Sequence, residues 1–196
     1  MKKILFLAAA LLTAGMVSAQ VTYSIGYLGK TQTTEVTALG VTVTDSDSKN
    51  GFSIGVDDNI NLAADFNVAI GGTMEFYFDK DGDYKYSEFN LAVPVDFNYV
   101  FGLGSNLKLS VFAGPTLNLG IISKKTGPND YKYNYYDEDN GNFGRFDVLL
   151  GGGAWLDIQE QFRVKVGYKA GMIDRCKSDG TTVKNNVLSV SLGYIF

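Results

Sequence analysis

Asn186-Val187-Leu188-Ser189-Val190-Ser191-Leu192-Gly193-Tyr194-Ile195-Phe196 ends the chain, and it alternates. Leu188, Val190, Leu192, Tyr194 and Phe196 take every second position, with Ser189, Ser191 and Gly193 between them. A period of two gives a β-strand one apolar face and one small or polar face. The same pattern recurs upstream. It runs through Val21–Tyr27, Phe52–Val56, Phe66–Phe78, Phe89–Phe101, Leu107–Leu119, Phe146–Ile158 and Phe162–Ala170. With the last stretch this predicts eight strands. Most are 10 to 14 residues long, against about 5–6 in soluble sheets. A tilted strand needs about 9–11 residues to cross the hydrocarbon of a bilayer.

The first nineteen residues read differently. Lys2 and Lys3 precede an apolar run from Ile4 to Leu12, and Val17-Ser18-Ala19 has the small residues of a cleavage site. That is the pattern of an export signal, with the mature chain expected to begin at Gln20. Without Lys2 and Lys3 the basic count falls from 17 to 15 against 21 acids, a net charge of −6. No basic face for a nucleic acid is visible. The single cysteine, Cys176, cannot form an intrachain disulfide. The remaining length fits one domain, and no mature stretch is apolar enough for a membrane helix.

The connections are unequal. Lys30–Asn50, Lys124–Asn142 and Asp174–Asn185 read as long polar loops. Gly102–Asn106 and Gln159–Gln161 read as short turns, and Asp57–Asp65 is intermediate. Long loops at one end and short turns at the other suit a membrane barrel with both termini in the periplasm. Lys80–Asp83 is an exception on the loop side, where Asp81-Gly82 predicts a tight type I′ hairpin. Pro94 and Pro115 fall inside strands, where the missing N–H predicts β-bulges. A bulge at Gly151–Gly153 would turn Trp155 from the lumen to the lipid, which leaves its side open.

The polar face decides which side meets lipid. It carries Glu75, Glu88, Asp96, Asp147 and Asp157, with Lys108, Arg145, Arg163, Lys165 and Lys169. An eight-stranded barrel has too little room inside for the Phe and Leu of the other face. Turned outward, those residues form a lipid-facing band. Tyr23, Phe66, Tyr99, Phe101, Phe162 and Phe196 border it near the short turns, and Tyr27, Phe52, Phe76, Phe78 and Phe89 near the loops. The predicted fold is an all-β, eight-stranded antiparallel up-and-down transmembrane barrel. Its charged interior reads as a compensating network that fills the lumen, or as the lining of an ion path. A soluble ligand-binding barrel is a third reading.

Several segments resemble one family. Ser87-Glu88-Phe89-Asn90-Leu91-Ala92-Val93-Pro94-Val95-Asp96-Phe97 looks like the strand with an I-P-L core in the small outer-membrane β-barrel domain family related to OmpX-like and OmpA-like barrels. Phe112-Ala113-Gly114-Pro115 looks like its next strand. Arg145-Phe146-Asp147 followed by Gly151-Gly152-Gly153 is similar to its R-F-D…G-G-G strand. Leu192-Gly193-Tyr194-Ile195-Phe196 looks like its closing strand, in which Tyr194 and Phe196 would be read by the β-barrel assembly machinery. The resemblance implies a Gram-negative outer membrane, with lipid and lipopolysaccharide as surroundings. It implies little about activity.

The chain has no histidine, so the usual base for activating a hydroxyl is missing. Outer-membrane barrel enzymes resemble one another in using one, and this chain is read as a non-enzyme without a cofactor. Asp79-Lys80-Asp81-Gly82-Asp83 suits a hard cation, but its glycine and Glu88 are misplaced for a calcium loop, and a hairpin explains the same residues. Gly151–Gly153 lacks the Lys and Ser/Thr of a phosphate loop. The loop Asn129–Asp139 carries Tyr131, Tyr133, Tyr135 and Tyr136, and tyrosines give rigid amphipathic contact area. The alternative is that they continue a strand above the membrane. The leading functional expectation is a monomer with a structural or surface-binding role through its loops. A narrow channel for ions or small solutes is second.

Overall fold

The computed structural model describes residues 20–137, 143–176 and 178–196. The expected signal segment and Glu138–Asn142 of the tyrosine loop lie outside these. The elements are β1 (Val21–Ala38), β2 (Val41–Ala63), β3 (Phe66–Asp81), β4 (Tyr84–Gly102), β5 (Leu107–Thr126), β6 (Lys132–Asn134), β7 (Phe146–Ile158), β8 (Phe162–Gly171) and β9 (Thr181–Ile195). Each long strand pairs antiparallel with its neighbours, and β9 returns to pair with β1. Eight strands therefore close a ring, which leaves no free edge within the membrane. The three-residue β6 is a ninth strand lying against the upper end of β5.

The two faces behave as the alternation predicts. Ile25 and Leu192 point outward and are each 62% exposed, whereas Asp96 and Trp155 point inward at 1%. Large apolar side chains outside and charges inside invert the arrangement of a soluble protein. Small apolar clusters sit among the polar residues of the lumen. Leu28, Tyr77, Leu149 and Val187 form one, and Ala69, Phe112 and Trp155 another.

Three local expectations change, and the side of Trp155, left open by the sequence, is settled. The segment read as the long loop Lys30–Asn50 is a paired hairpin, with β1 and β2 in register up to Ala38↔Val41. Its outward positions are Thr, Ser, Glu and Asn standing above the lipid, so the apolar outward face ends although the backbone ladder continues. In the β3–β4 hairpin the central pair is Gly82-Asp83 rather than Asp81-Gly82, since Asp81 pairs with Tyr84. Gly82 has φ 57° in the first central position, where a type II′ turn takes its glycine.

The prolines produce gaps instead of bulges. Pro94 pairs with Thr116 while the β3–β4 ladder lapses beside it, and Pro115 pairs with Leu150 while the β4–β5 ladder lapses. Each keeps a partner strand on one side, and the register is the same beyond the gap. The bulge in this part of the sheet lies instead at Phe89/Asn90. Finally, β7 runs in unbroken register through Gly151–Gly153 against both β5 and β8. Trp155 therefore stays in the lumen.

Candidate functional site

Ion pairs fill the lumen in tiers. Nearest the short turns, Arg163 grips Asp157 with two bonds (Nε to Oδ1 2.7 Å, Nη2 to Oδ2 3.0 Å) and reaches Asp57 at 3.3 Å. Its guanidinium lies 4.5 Å from the Trp155 ring. One level up, Asp96 accepts from both Lys165 and Lys169 at 2.8 Å, and Lys169 also donates to Thr116 at 2.6 Å. The first tier has one cation and two carboxylates, and the second has the reverse. Stacked together they are neutral, which is how buried charge is tolerated.

Above them Glu75 accepts from Asn118 at 2.8 Å and Tyr77 at 3.1 Å, and Asp147 accepts from Asn185 at 3.0 Å. Glu88 then takes hydrogen bonds from Lys30, Tyr86 and Asn90. Lys30, Asp57 and Arg175 are members that the sequence reading missed. Lys30 and Arg175 fall in segments it took for loops, and Asp57 in one it took for a turn. The parity of β1, continued three residues past Tyr27, would have found Lys30.

The space between these groups is small. A cavity of about 110 Å³ lies among Thr22, Ser53, Glu75, Asp96, Arg163 and Lys169. The next space toward the loops, among Lys30, Tyr77, Asn118, Asp147 and Arg175, is about 10 Å³.

Tyr136 and Arg175 meet as a lid over part of the loop end. Arg175, from the β8–β9 connection, donates to Tyr136 Oη at 2.8 Å and to Gly144 O at 3.1 and 3.2 Å. Arg145 covers the Tyr136 ring from its own side at 4.8 Å. Burial holds the Tyr136 hydroxyl up at about 12, with Arg175 pulling the other way. Gly120 is the floor beneath it, since a methyl there would collide with Tyr136 Oη. Gly120→Ala is expected to lift Tyr136 out of the lid. Nitration of Tyr136, read by mass spectrometry, should rise in a barrel that still folds. Unchanged protection would contradict this packing.

Three of the predicted site residues need correction. Lys108 is on the inward parity but at the strand end, where it is exposed and bonds Glu160 of the β7–β8 turn at 2.7 Å. That hydrogen bond and its charge draw the Glu160 carboxyl below the usual range. Arg145 is exposed at the rim, donates to Ile121 O at 3.0 Å, and precedes β7. Neither belongs to the lumen network. Tyr136, at 8% exposure, is part of the lid and offers no free surface. Of its companions Tyr131 is exposed, edge-on to Tyr84 at 5.6 Å, while Tyr133 lies in β6 and Tyr135 packs on Tyr86 at 5.6 Å.

At the other end Tyr194 and Phe196 point outward, 4.7 Å apart, with Tyr23 5.4 Å from Phe196. On the loop side β2 projects beyond β3, whose pairing stops at Asn50↔Phe78. Among the described residues, Val41–Lys49 pairs with β1 and leaves its second edge unpaired.

A closed antiparallel ring, apolar outside and ion-paired within, defines an integral β-barrel membrane protein. The chain matches the outer membrane protein beta-barrel domain family over residues 5–196 and belongs to it. It is therefore an outer-membrane protein of the Gram-negative type, set in lipid and lipopolysaccharide. Among solved structures it is similar to Ail, the attachment invasion locus protein of Yersinia pestis, at 17% identity. That match covers 92% of this chain and 100% of the other, with a TM-score of 0.41. It is also similar to Neisserial surface protein A (15% identity; 89% and 97% covered; TM-score 0.47). The outer membrane protein OprG from Pseudomonas aeruginosa is a third (11% identity; 91% and 96% covered; TM-score 0.49). No curated protein matches the sequence.

Proposed function

We propose that this protein is a non-conducting, non-enzymatic barrel with a structural and surface-binding role in the outer membrane. It is exported by the segment Met1–Ala19 and assembled as a monomer through Tyr194 and Phe196. The reading rests on the lumen. Two compensating ion-pair tiers, a cavity of about 110 Å³ and a Tyr136–Arg175 lid leave the extracellular surface as the place for a partner. That surface is ordered, with a tall β1–β2 hairpin, an unpaired β2 edge and the exposed Tyr131.

Refolded protein, checked by its gel shift between unboiled and boiled samples, should be silent in a planar bilayer. Discrete openings that change with Asp96→Asn or Lys165→Met would overturn this in favour of a narrow channel. The charged lining of the cavity is the observation that supports that second reading.

A further inference from the structure

The outer face of β1, β2 and β9 changes chemistry at one height. Below it are Tyr27, Phe52 and Val190, exposed in the lipid-facing band. Above it the outward positions of β1 are Thr31, Thr33, Glu35 and Thr37, in register with Ser48, Ser46, Thr44 and Thr42 of β2. On the other side β9 adds Lys184 beside Thr33 and Thr182 beside Glu35. Tyr27 marks the boundary: its ring is in the band and its hydroxyl donates upward to Asn50. Amphipathic rings take that place at a membrane interface.

The block above the boundary has no apolar side chain. Its hydroxyls form cross-strand pairs, Thr31–Ser48 at 3.4 Å, Thr33–Ser46 at 3.4 Å and Thr37–Thr42 at 3.0 Å. With strands about 4.8 Å apart and same-face residues about 6.7 Å apart, the block measures roughly 10 by 20 Å. Glu35 and Lys184 cancel, so the surface is neutral and lacks the cluster of cations that phosphate recognition uses. Hydroxyls both donate and accept, as sugar hydroxyls do. The block continues the lipid-facing band upward and faces sideways. At that height its neighbour in the outer leaflet is the saccharide of lipopolysaccharide.

We infer that this hydroxyl face binds the uncharged sugar units of the lipopolysaccharide core in the protein's own leaflet. The binding gives the projecting β1–β2 ribbon a packing partner. β9 pairs with β1 up to Val36↔Thr181, so the face belongs to a three-stranded sheet that projects above the band. The inference rests on the membrane placement of the band and is independent of whether the lumen conducts.

The test is amide hydrogen exchange of residues 31–48 in protein refolded into bilayers of core-bearing lipopolysaccharide or of lipid A alone. Exchange should be slower with the core saccharide. The variant Thr31→Val/Thr33→Val/Thr42→Val/Ser46→Ala should lose that difference while matching wild type in lipid A. Equal exchange of the wild-type protein in the two bilayers would overturn the inference, with no need for the variant. So would slowing that survives the four substitutions in a variant that passes the gel-shift test for folding.

Discussion

Asp96→Ala is expected to lower the unfolding free energy by about 3–5 kcal/mol, the cost of breaking a buried ion pair from one side. Asp96 is the carboxylate shared by Lys165 and Lys169, both at 2.8 Å. Its removal strands two ammonium groups that are themselves largely out of water. Lys165 retains the faces of Phe112 and Trp155, 4.5 and 5.1 Å away, but neither ring replaces a carboxylate. Reversible urea unfolding in lipid vesicles, followed by tryptophan fluorescence, measures the loss. The triple variant Asp96→Ala/Lys165→Met/Lys169→Met should recover most of it, because apolar side chains need no counter-charge. A loss under about 1 kcal/mol in the single variant, the scale of an exposed pair, would mean that this tier is hydrated.

Trp155→Ala should cost a similar amount, about 3–5 kcal/mol. Trp155 stacks on Phe112 at 5.2 Å and supports Arg163 from one side. Among the described residues it is the largest of the fully buried side chains. Removing it leaves a void next to Arg163 and Phe112, both of which border the 110 Å³ cavity. The variant should therefore be less stable and also hold more water near the short-turn end. Circular dichroism during urea unfolding checks the first point. Exchange of the backbone amides around Ser110 and Lys165, its neighbours in register, checks the second. Wild-type stability would show that the ring is not part of the packing that holds the lumen.

The membrane-spanning part was legible because lipid imposes a period of two that survives in the residues. Ile25, Leu192 and their companions could only face one way. The alternation fixed the face of a side chain but not its height, and this is why Lys108 and Arg145 were misplaced. Both are at strand ends, where the inward direction opens onto water or the rim. Above the lipid the outward face of the β1–β2 hairpin is polar, and its apolar residues are reduced to a few inward ones near the tip, Val36, Ala38, Val41 and Val43, so the segment read as a loop. Arg175 lies in a connection without periodicity. Its partnership with Tyr136, 39 residues earlier, exists only once two loops meet. The inward Phe112 and Trp155 break the polar pattern of their face, and the structure explains them as supports for Lys165 and Arg163.

The lumen pairs have a further consequence for assembly. Lys30 meets Glu88 across 58 residues, Lys165 and Lys169 meet Asp96 across 69 and 73, and Arg163 meets Asp57 across 106. None of these can form within one hairpin. A partly inserted sheet can pair Arg163 with Asp157 inside the β7–β8 hairpin, but it has no partner to offer Lys30, Asp57, Asp96, Lys165 or Lys169, so dehydrating its concave side is opposed until β1 reaches β9. Closure and neutralisation then occur together. The interior thus acts as a seal on completed insertion: a barrel stalled before its seam closes stays wet and exchangeable, and one that closes has little reason to reopen.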